Sequence, residues 1–115
     1  MNIKLRDQGP IAISQNDDCL DEDACRPLLD QLSDHWSING DNRLNAVFLF
    51  ENFDSALAFL NQVGAKAEVH QHHPDCLLSW GRLEVSLWTH DLGGLHLADF
   101  SLAAQIDILW DQLKR

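Results

Sequence analysis

The sequence predicts an α+β fold, a four-stranded antiparallel sheet with three helices on one face in the order α-β-β-α-β-β-α. Three observations predict it. Apolar residues recur at helical spacing in three separate stretches, and short segments between those stretches alternate apolar with polar residues. At 115 residues the chain holds one core and not two.

Residues 1–19 read as a flexible acidic N-terminal arm, because Gly9-Pro10 and the polar run Ser14 to Asp18 leave no apolar period beyond Ile11-Ala12-Ile13. Residues 20–115 are the domain. A first helix starts at Leu20 with Asp21 and Asp23 as first-turn carboxylates, carries Ala24, Leu28, Leu29 and Leu32 at helical spacing, and ends near Asp34. Trp36-Ser37-Ile38 and Leu44 to Phe50 form a hairpin around Asn39-Gly40-Asp41-Asn42, residues that accept positive φ. Asn52 caps a second helix with the face Phe53, Ala56, Leu57, Leu60 and Val63, and Gly64 is its expected stop. Ala67 to His73 is expected to be extended up to Pro74, and Gly81 to Trp88 alternates as a half-buried strand. After the Gly93-Gly94 loop, Leu102, Ala103, Ile106, Leu109, Trp110 and Leu113 mark the last helix, with Lys114 and Arg115 at its end.

Eight basic against eighteen acidic residues give a formal charge of -10, which disfavours direct contact with nucleic acid or an anionic membrane. No apolar run approaches the roughly 20 residues of a membrane span, and Met1 to Arg6 lack a signal-peptide core, so the expected location is cytoplasmic. Cys19, Cys25 and Cys76 are odd in number and lack C-x-x-C spacing, as reduced thiols would.

The chemistry is concentrated in histidine. Five of the six lie between positions 70 and 96, near Glu68, Asp75, Asp91 and Asp99. Histidine exchanges protons near neutral pH, so such a group suits acid–base catalysis. A metal site competes, since His70 and His72 at i and i+2 would share a strand face, but no H-E-x-x-H or Cys/His ligand spacing accompanies them. His35, His70 and His96 read as ordinary surface or loop residues.

The run Glu68-Val69-His70-Gln71-His72-His73-Pro74, followed at fixed spacing by Trp80, His90 and Asp99, resembles the signature of the pterin-4a-carbinolamine dehydratases. The flanks Phe48 to Phe53 and Ala56 to Phe59 are similar too, and Trp88-Thr89-His90 with Gly94-Leu95-His96 resembles the bacterial subgroup that works beside phenylalanine hydroxylase. The likeness covers residues 20–115 and leaves the arm aside.

The resemblance implies a homodimer or homotetramer that dehydrates 4a-hydroxytetrahydropterin to quinonoid dihydropterin, in tetrahydropterin recycling, without a cofactor. By motif position His72, His73 and His90 are its catalytic, pterin-contacting imidazoles, with Asp99 and Glu68 as accompanying acids. Asp99 either orients an imidazole or caps the last helix, or does both. Trp80 and Asp91 are further candidates for substrate contact. Cys76 and Ala46 depart from the family's bulky and basic residues at those positions. The alternative is a binding protein on the same scaffold, since the family includes a transcriptional coactivator and RuBisCO assembly factors, and fold alone does not separate the two.

Overall fold

The computed structural model of the protein describes residues 3–113. The first helix, α1 (Glu22–Leu29), is capped by Asp21, whose carboxylate accepts the Ala24 N–H at 2.8 Å. It ends five residues short of the expected Asp34. Its continuation tightens into turns (Gln31 N–H to Leu28 O, 3.1 Å; Leu32 N–H to Leu29 O, 3.0 Å), and Ser33 is captured by another helix. The buried Asp107 accepts the Ser33 N–H (2.8 Å), the Ser33 hydroxyl (2.7 Å) and the Trp36 indole N–H (2.9 Å). A buried carboxylate with three donors is satisfied, and here it ties the start of the sheet to the last helix.

Strands β1 (Trp36–Ile38) and β2 (Leu44–Leu49) form the expected hairpin, with Asn42 at φ 59° and the Asn39 side chain accepting the Asp41 and Arg43 N–H groups at 3.0 and 3.1 Å. Helix α2 (Phe53–His70) is capped by Asn52, which accepts the Ser55 N–H at 2.8 Å. Gly64 does not stop it. The helix runs six residues further because Val63, Ala67 and His70 continue the buried stripe at i, i+4, i+7, and their burial outweighs the roughly 1 kcal/mol a mid-helix glycine costs. The stretch expected to be extended from Ala67 is therefore helical to His70, and the strand lies beyond Pro74.

That strand is β3 (Asp75–Ser79), which turns through Trp80-Gly81 into β4 (Arg82–Leu87). The sheet is antiparallel throughout, in the order β1-β2-β4-β3. Its inner face carries Leu44, Ala46, Phe48, Leu83, Val85 and Leu87, all buried, and each large one is worth roughly 1.5–3 kcal/mol of burial. On the other face Asn45, Val47, Leu77, Glu84 and Ser86 are half-buried or exposed. Helix α3 (Leu97–Leu113) lays Phe100, Leu102, Ala103 and Ile106 into the core. The expected cationic end, Lys114 and Arg115, lies outside the described residues. Trp110 closes an aromatic cluster with His35, Phe48, Phe50 and Phe59 at ring separations of 5.1 to 5.6 Å. His35, expected on the surface, stacks on Phe48 at 4.6 Å.

The N-terminal segment, expected as a loose arm, lies packed on the helical layer. Leu5, in a 3₁₀ turn (Leu5–Asp7), is fully buried, its N–H donates to Gln31 Oε1 at 2.8 Å, and the Ser101 hydroxyl donates to Gly9 O at 2.8 Å.

Candidate active site

The site is built where α2 ends and α3 begins. At the end of α2 the Gln71 N–H returns to Glu68 O (3.2 Å) and the His72 N–H to Ala67 O (3.2 Å), a Schellman closure. Its left-handed position, φ 51°, is filled by Gln71 instead of glycine, and the Gln71 amide adds a bond to Glu68 O at 2.7 Å. The closure reverses the chain, so His72 and His73 leave the helix in a fixed direction before Pro74 leads into β3.

The His72 ring turns inward, where its Nε2 hydrogen-bonds Asp99 Oδ1. Asp99 has no exposed surface, and its other oxygen accepts the Thr89 hydroxyl and the His96 backbone N–H, each at 2.9 Å. Because His96 immediately precedes α3, that last bond is the reciprocal half of a capping box. Asp99 therefore caps the helix and orients an imidazole at once. Thr89 reaches it from the end of β4, where it pairs with Gly94 across a short loop whose left-handed residue is Gly93 (φ 71°).

The same loop carries His90 and Asp91. The His90 ring lies against Trp88 at 4.0 Å between centroids, and the Arg43 guanidinium sits 3.6 Å from the centroid of the Trp88 ring, so the stack steadies an otherwise exposed imidazole. His73 Nε2 hydrogen-bonds Glu68, and both are well exposed, so the contact contributes little to stability.

His72, His73, His90 and Asp91 line one open cleft of ≈ 460 Å³, within the range of small-ligand sites. Glu68 reaches its rim through His73, and Asp99 lies behind His72. Trp80 is not brought there. It sits in the turn joining β3 and β4, 71% exposed, and β4 at about 3.4 Å per residue puts it roughly 20 Å from Thr89.

Several residues of the cleft were not singled out as site residues. Thr89 completes the environment of Asp99. His70, expected to be ordinary, lines the cleft with only 6% of its surface exposed and no hydrogen-bond partner for its ring among the described residues. Burial, then the charges of Lys66 and His72, pushes its proton affinity down, so it is held as a neutral imidazole. Its signal in the sequence is the stripe Val63-Ala67-His70, which continues the helix past Gly64. The expected strand-face pair of His70 and His72 does not exist, because one ends a helix and the other follows its left-handed cap. His96 instead pairs with Asp17 at 2.9 Å, and the Ser14 N–H together with His96 holds the Asp17 carboxyl below the usual carboxylate range. Among the described residues no group of three or more His, Cys, Asp or Glu is disposed to hold a metal ion, and no helix is long and apolar enough to cross a membrane.

Residues 18–109 match the family described as pterin 4 alpha carbinolamine dehydratase. A protein of Alkaliphilus metalliredigens, provisionally named pterin-4-alpha-carbinolamine dehydratase, is 41% identical over 88 residues, 76% of this chain and 79% of its own length. One of Microcystis aeruginosa with the same name is 49% identical over 80 residues, 67% of this chain and 69% of its own. Among solved structures, the transcriptional coactivator/pterin dehydratase of Brucella melitensis superposes with a TM-score of 0.74 at 28% identity, covering 80% of this chain and 98% of that one. A pterin dehydratase-like RuBisCO assembly factor of the alpha-carboxysome does so at 0.55 and 25% identity, covering 64% and 87%.

Proposed function

Because the chain belongs to the pterin-4-alpha-carbinolamine dehydratase family, a family of hydro-lyases, we propose that it dehydrates 4a-hydroxytetrahydropterin to quinonoid dihydropterin with His72, His73 and His90 as its acid–base and pterin-contacting groups. The observation that carries this reading is convergence: imidazoles from the end of α2 and from the loop after β4 line one cleft, and one of them is held by a fully buried carboxylate.

The reaction breaks the C4a–O bond and the N5–H bond, and the electron pair of the latter becomes the C4a=N5 double bond. One proton must reach the departing hydroxyl and one must leave N5, so the protein gains none overall. His72 donates its Nε2–H to Asp99, which leaves Nδ1 as a lone pair, and that lone pair takes the N5 proton. The His90 ring nitrogens have no hydrogen-bond partner among the described residues, so His90 is the donor to the leaving oxygen. His73, its Nε2 occupied by Glu68, contacts the polar edge of the pterin, and Asp91 meets its 2-amino group.

In this role the protein serves tetrahydropterin recycling beside a pterin-dependent hydroxylase such as phenylalanine hydroxylase, in the cytoplasm, as a homodimer or homotetramer. The free sheet edges at β1 and β3 and the exposed Leu49, Leu77 and Trp80 support assembly.

The test is stopped-flow absorbance of freshly generated carbinolamine with and without protein. Acceleration proportional to protein concentration is expected. Absence of any acceleration would give the scaffold to the binding role instead.

A further inference from the structure

We propose that the strap formed by residues 9–17 is the apolar wall of the pterin site, with Ile11 and Ile13 packing against one flat face of the heterocycle. The inference rests on the cleft being a pterin site and adds to it a segment that lies outside the family match, which begins at residue 18.

The composition of the cleft points to it. Every lining residue from position 70 onward is an imidazole or carries a hydrogen-bonding side chain, whereas Ile11, Ala12 and Ile13 supply all of its apolar side chains. Small-molecule sites are mostly apolar with a few placed polar groups, because a flat ring system gains affinity by removing its faces from water. Without the strap this cleft offers a bicyclic ring imidazoles and hydrogen-bonding groups but no aliphatic surface for its face. Ile11 and Ile13 are half-buried while Ala12 between them is exposed, the alternation of an extended segment that turns two side chains to one side.

The strap is pinned at both ends and is therefore a wall with a fixed position. Before Ile11, Gly9 O accepts the Ser101 hydroxyl at 2.8 Å and Gln8 O accepts the Gln105 amide at 3.3 Å. After it, Asp17 accepts the Ser14 N–H at 2.8 Å and meets His96 Nε2 at 2.9 Å, and the Leu20 N–H reaches Leu95 O at 2.8 Å. His96 also gives its backbone N–H to Asp99, so one residue anchors both the wall and the carboxylate behind His72. His70, a buried imidazole without a protein partner among the described residues, lines the same space and is left for a polar atom of the ligand.

The test uses the full chain carrying Ile11→Ala and Ile13→Ala together, read two ways: kcat and KM for carbinolamine by stopped flow, and the dissociation constant of unreactive 7,8-dihydropterin by quenching of tryptophan fluorescence. Removing two branched side chains from one pocket should raise both KM and the dissociation constant about tenfold or more, while kcat falls less than threefold. Asp17→Asn, which loosens the clasp, should move KM in the same direction by a smaller factor. A double variant whose KM and dissociation constant stay within twofold of wild type overturns the proposal. If wild type binds dihydropterin without dehydrating the carbinolamine, the dehydratase reading falls alone and the dissociation constants decide the wall. If wild type binds no pterin, both fall. Should the double variant lose its circular-dichroism signature, the single variants, at half-buried positions, read the same ratio.

Discussion

Replacing Asp99 by asparagine tests how the carboxylate acts, because the change alters hydrogen-bond sense while keeping shape. Two carboxylate oxygens now accept three donors: the His72 ring at Oδ1, and the Thr89 hydroxyl and His96 N–H at Oδ2, each of the latter at 2.9 Å. An asparagine keeps one oxygen. With that oxygen in the Oδ2 position, Thr89 and His96 retain their acceptor, and the new amide NH₂ faces His72 Nε2. Two N–H groups cannot bond each other, so the His72 ring must switch tautomer, accept at Nε2 and carry its proton on Nδ1. The three bonds survive without charge assistance, a loss of up to about 1 kcal/mol each, so Asp99→Asn should destabilise by about 1–3 kcal/mol in urea denaturation. The catalytic effect should be much larger, because the lone pair that takes the N5 proton is gone. The comparable change in a serine-protease triad lowers kcat about 10⁴-fold, and a loss of about 10²–10⁴ is expected here in the stopped-flow assay. Imidazole ¹⁵N shifts should report the tautomer directly. A folded Asp99→Asn protein with activity within threefold of wild type would refute the assignment of Nδ1 as proton acceptor.

His72→Ala and His90→Ala should each lower kcat by about 10² or more with the fold intact by circular dichroism, and undiminished activity in either removes that residue from the chemistry. Gly64→Ala should stabilise by about 0.5–1 kcal/mol in urea denaturation, since the position is helical and exposed and a Cβ there meets nothing within 4 Å; an unchanged or lower midpoint contradicts this. Asp107→Ala strands the Ser33 N–H and the Trp36 indole N–H, leaves the Ser33 hydroxyl only its His35 contact, and should lose about 3–5 kcal/mol, read as a lowered denaturation midpoint. His70 is held neutral by burial, so the unfolded chain binds its proton more readily, near pH 6.5, than the folded one does. Its contribution to stability is then complete above about pH 6.5 and is lost as pH falls through the lower folded value. His70→Gln should flatten the decline in denaturation midpoint between pH 7 and 5, and an unaltered slope counts against the burial argument.

Strands β1, β2 and β4 were legible because each obeys a rule that operates within a few residues, whereas β3 is exposed along most of its length, shows no alternation, and was therefore expected on the wrong side of Pro74. Leu83, Val85 and Leu87 alternate and all three are fully buried, and Asn39 to Asn42 carry the turn at φ 59° that the hairpin needs. Gly64 misled because a glycine stops a helix only when nothing beyond it is worth burying, and Ala67 and His70 are buried against the rest of the fold. The position of the N-terminal segment was illegible for a different reason. One buried leucine in a three-residue turn has no period, and the bonds that hold it join side chains to backbone across most of the chain, as Gln105 does to Arg6 O at 3.2 Å. His72, His73 and His90 were legible by motif and share the cleft with Asp91 of the glycine loop, whereas Trp80, read from the same motif, lies at the far turn of β3–β4. A motif fixes spacing along the chain, and only the register of β3 on β4, with Ser79 opposite Arg82, decides which end of the hairpin a residue occupies.

The placement of the site follows from two helix ends that meet. The C-terminus of α2 closes on its own carbonyls, and that closure releases His72 and His73 toward the cleft. The N-terminus of α3 favours negative charge, and there Asp99 sits at the third helical position and accepts the His96 N–H. A carboxylate that helps start a helix and an imidazole released by the closure of another are thus set face to face by the geometry of the two helix ends. The same arrangement makes fold and chemistry inseparable at one residue. Truncating Asp99 to alanine would remove the capping-box bond to His96 together with the partner of His72, so lost activity in that variant could follow from a frayed α3 alone. The isosteric asparagine keeps the cap without its charge and reverses the sense of the bond to His72, and its large effect on rate, set beside the loss of about 1–3 kcal/mol in stability, separates the two roles of one carboxylate.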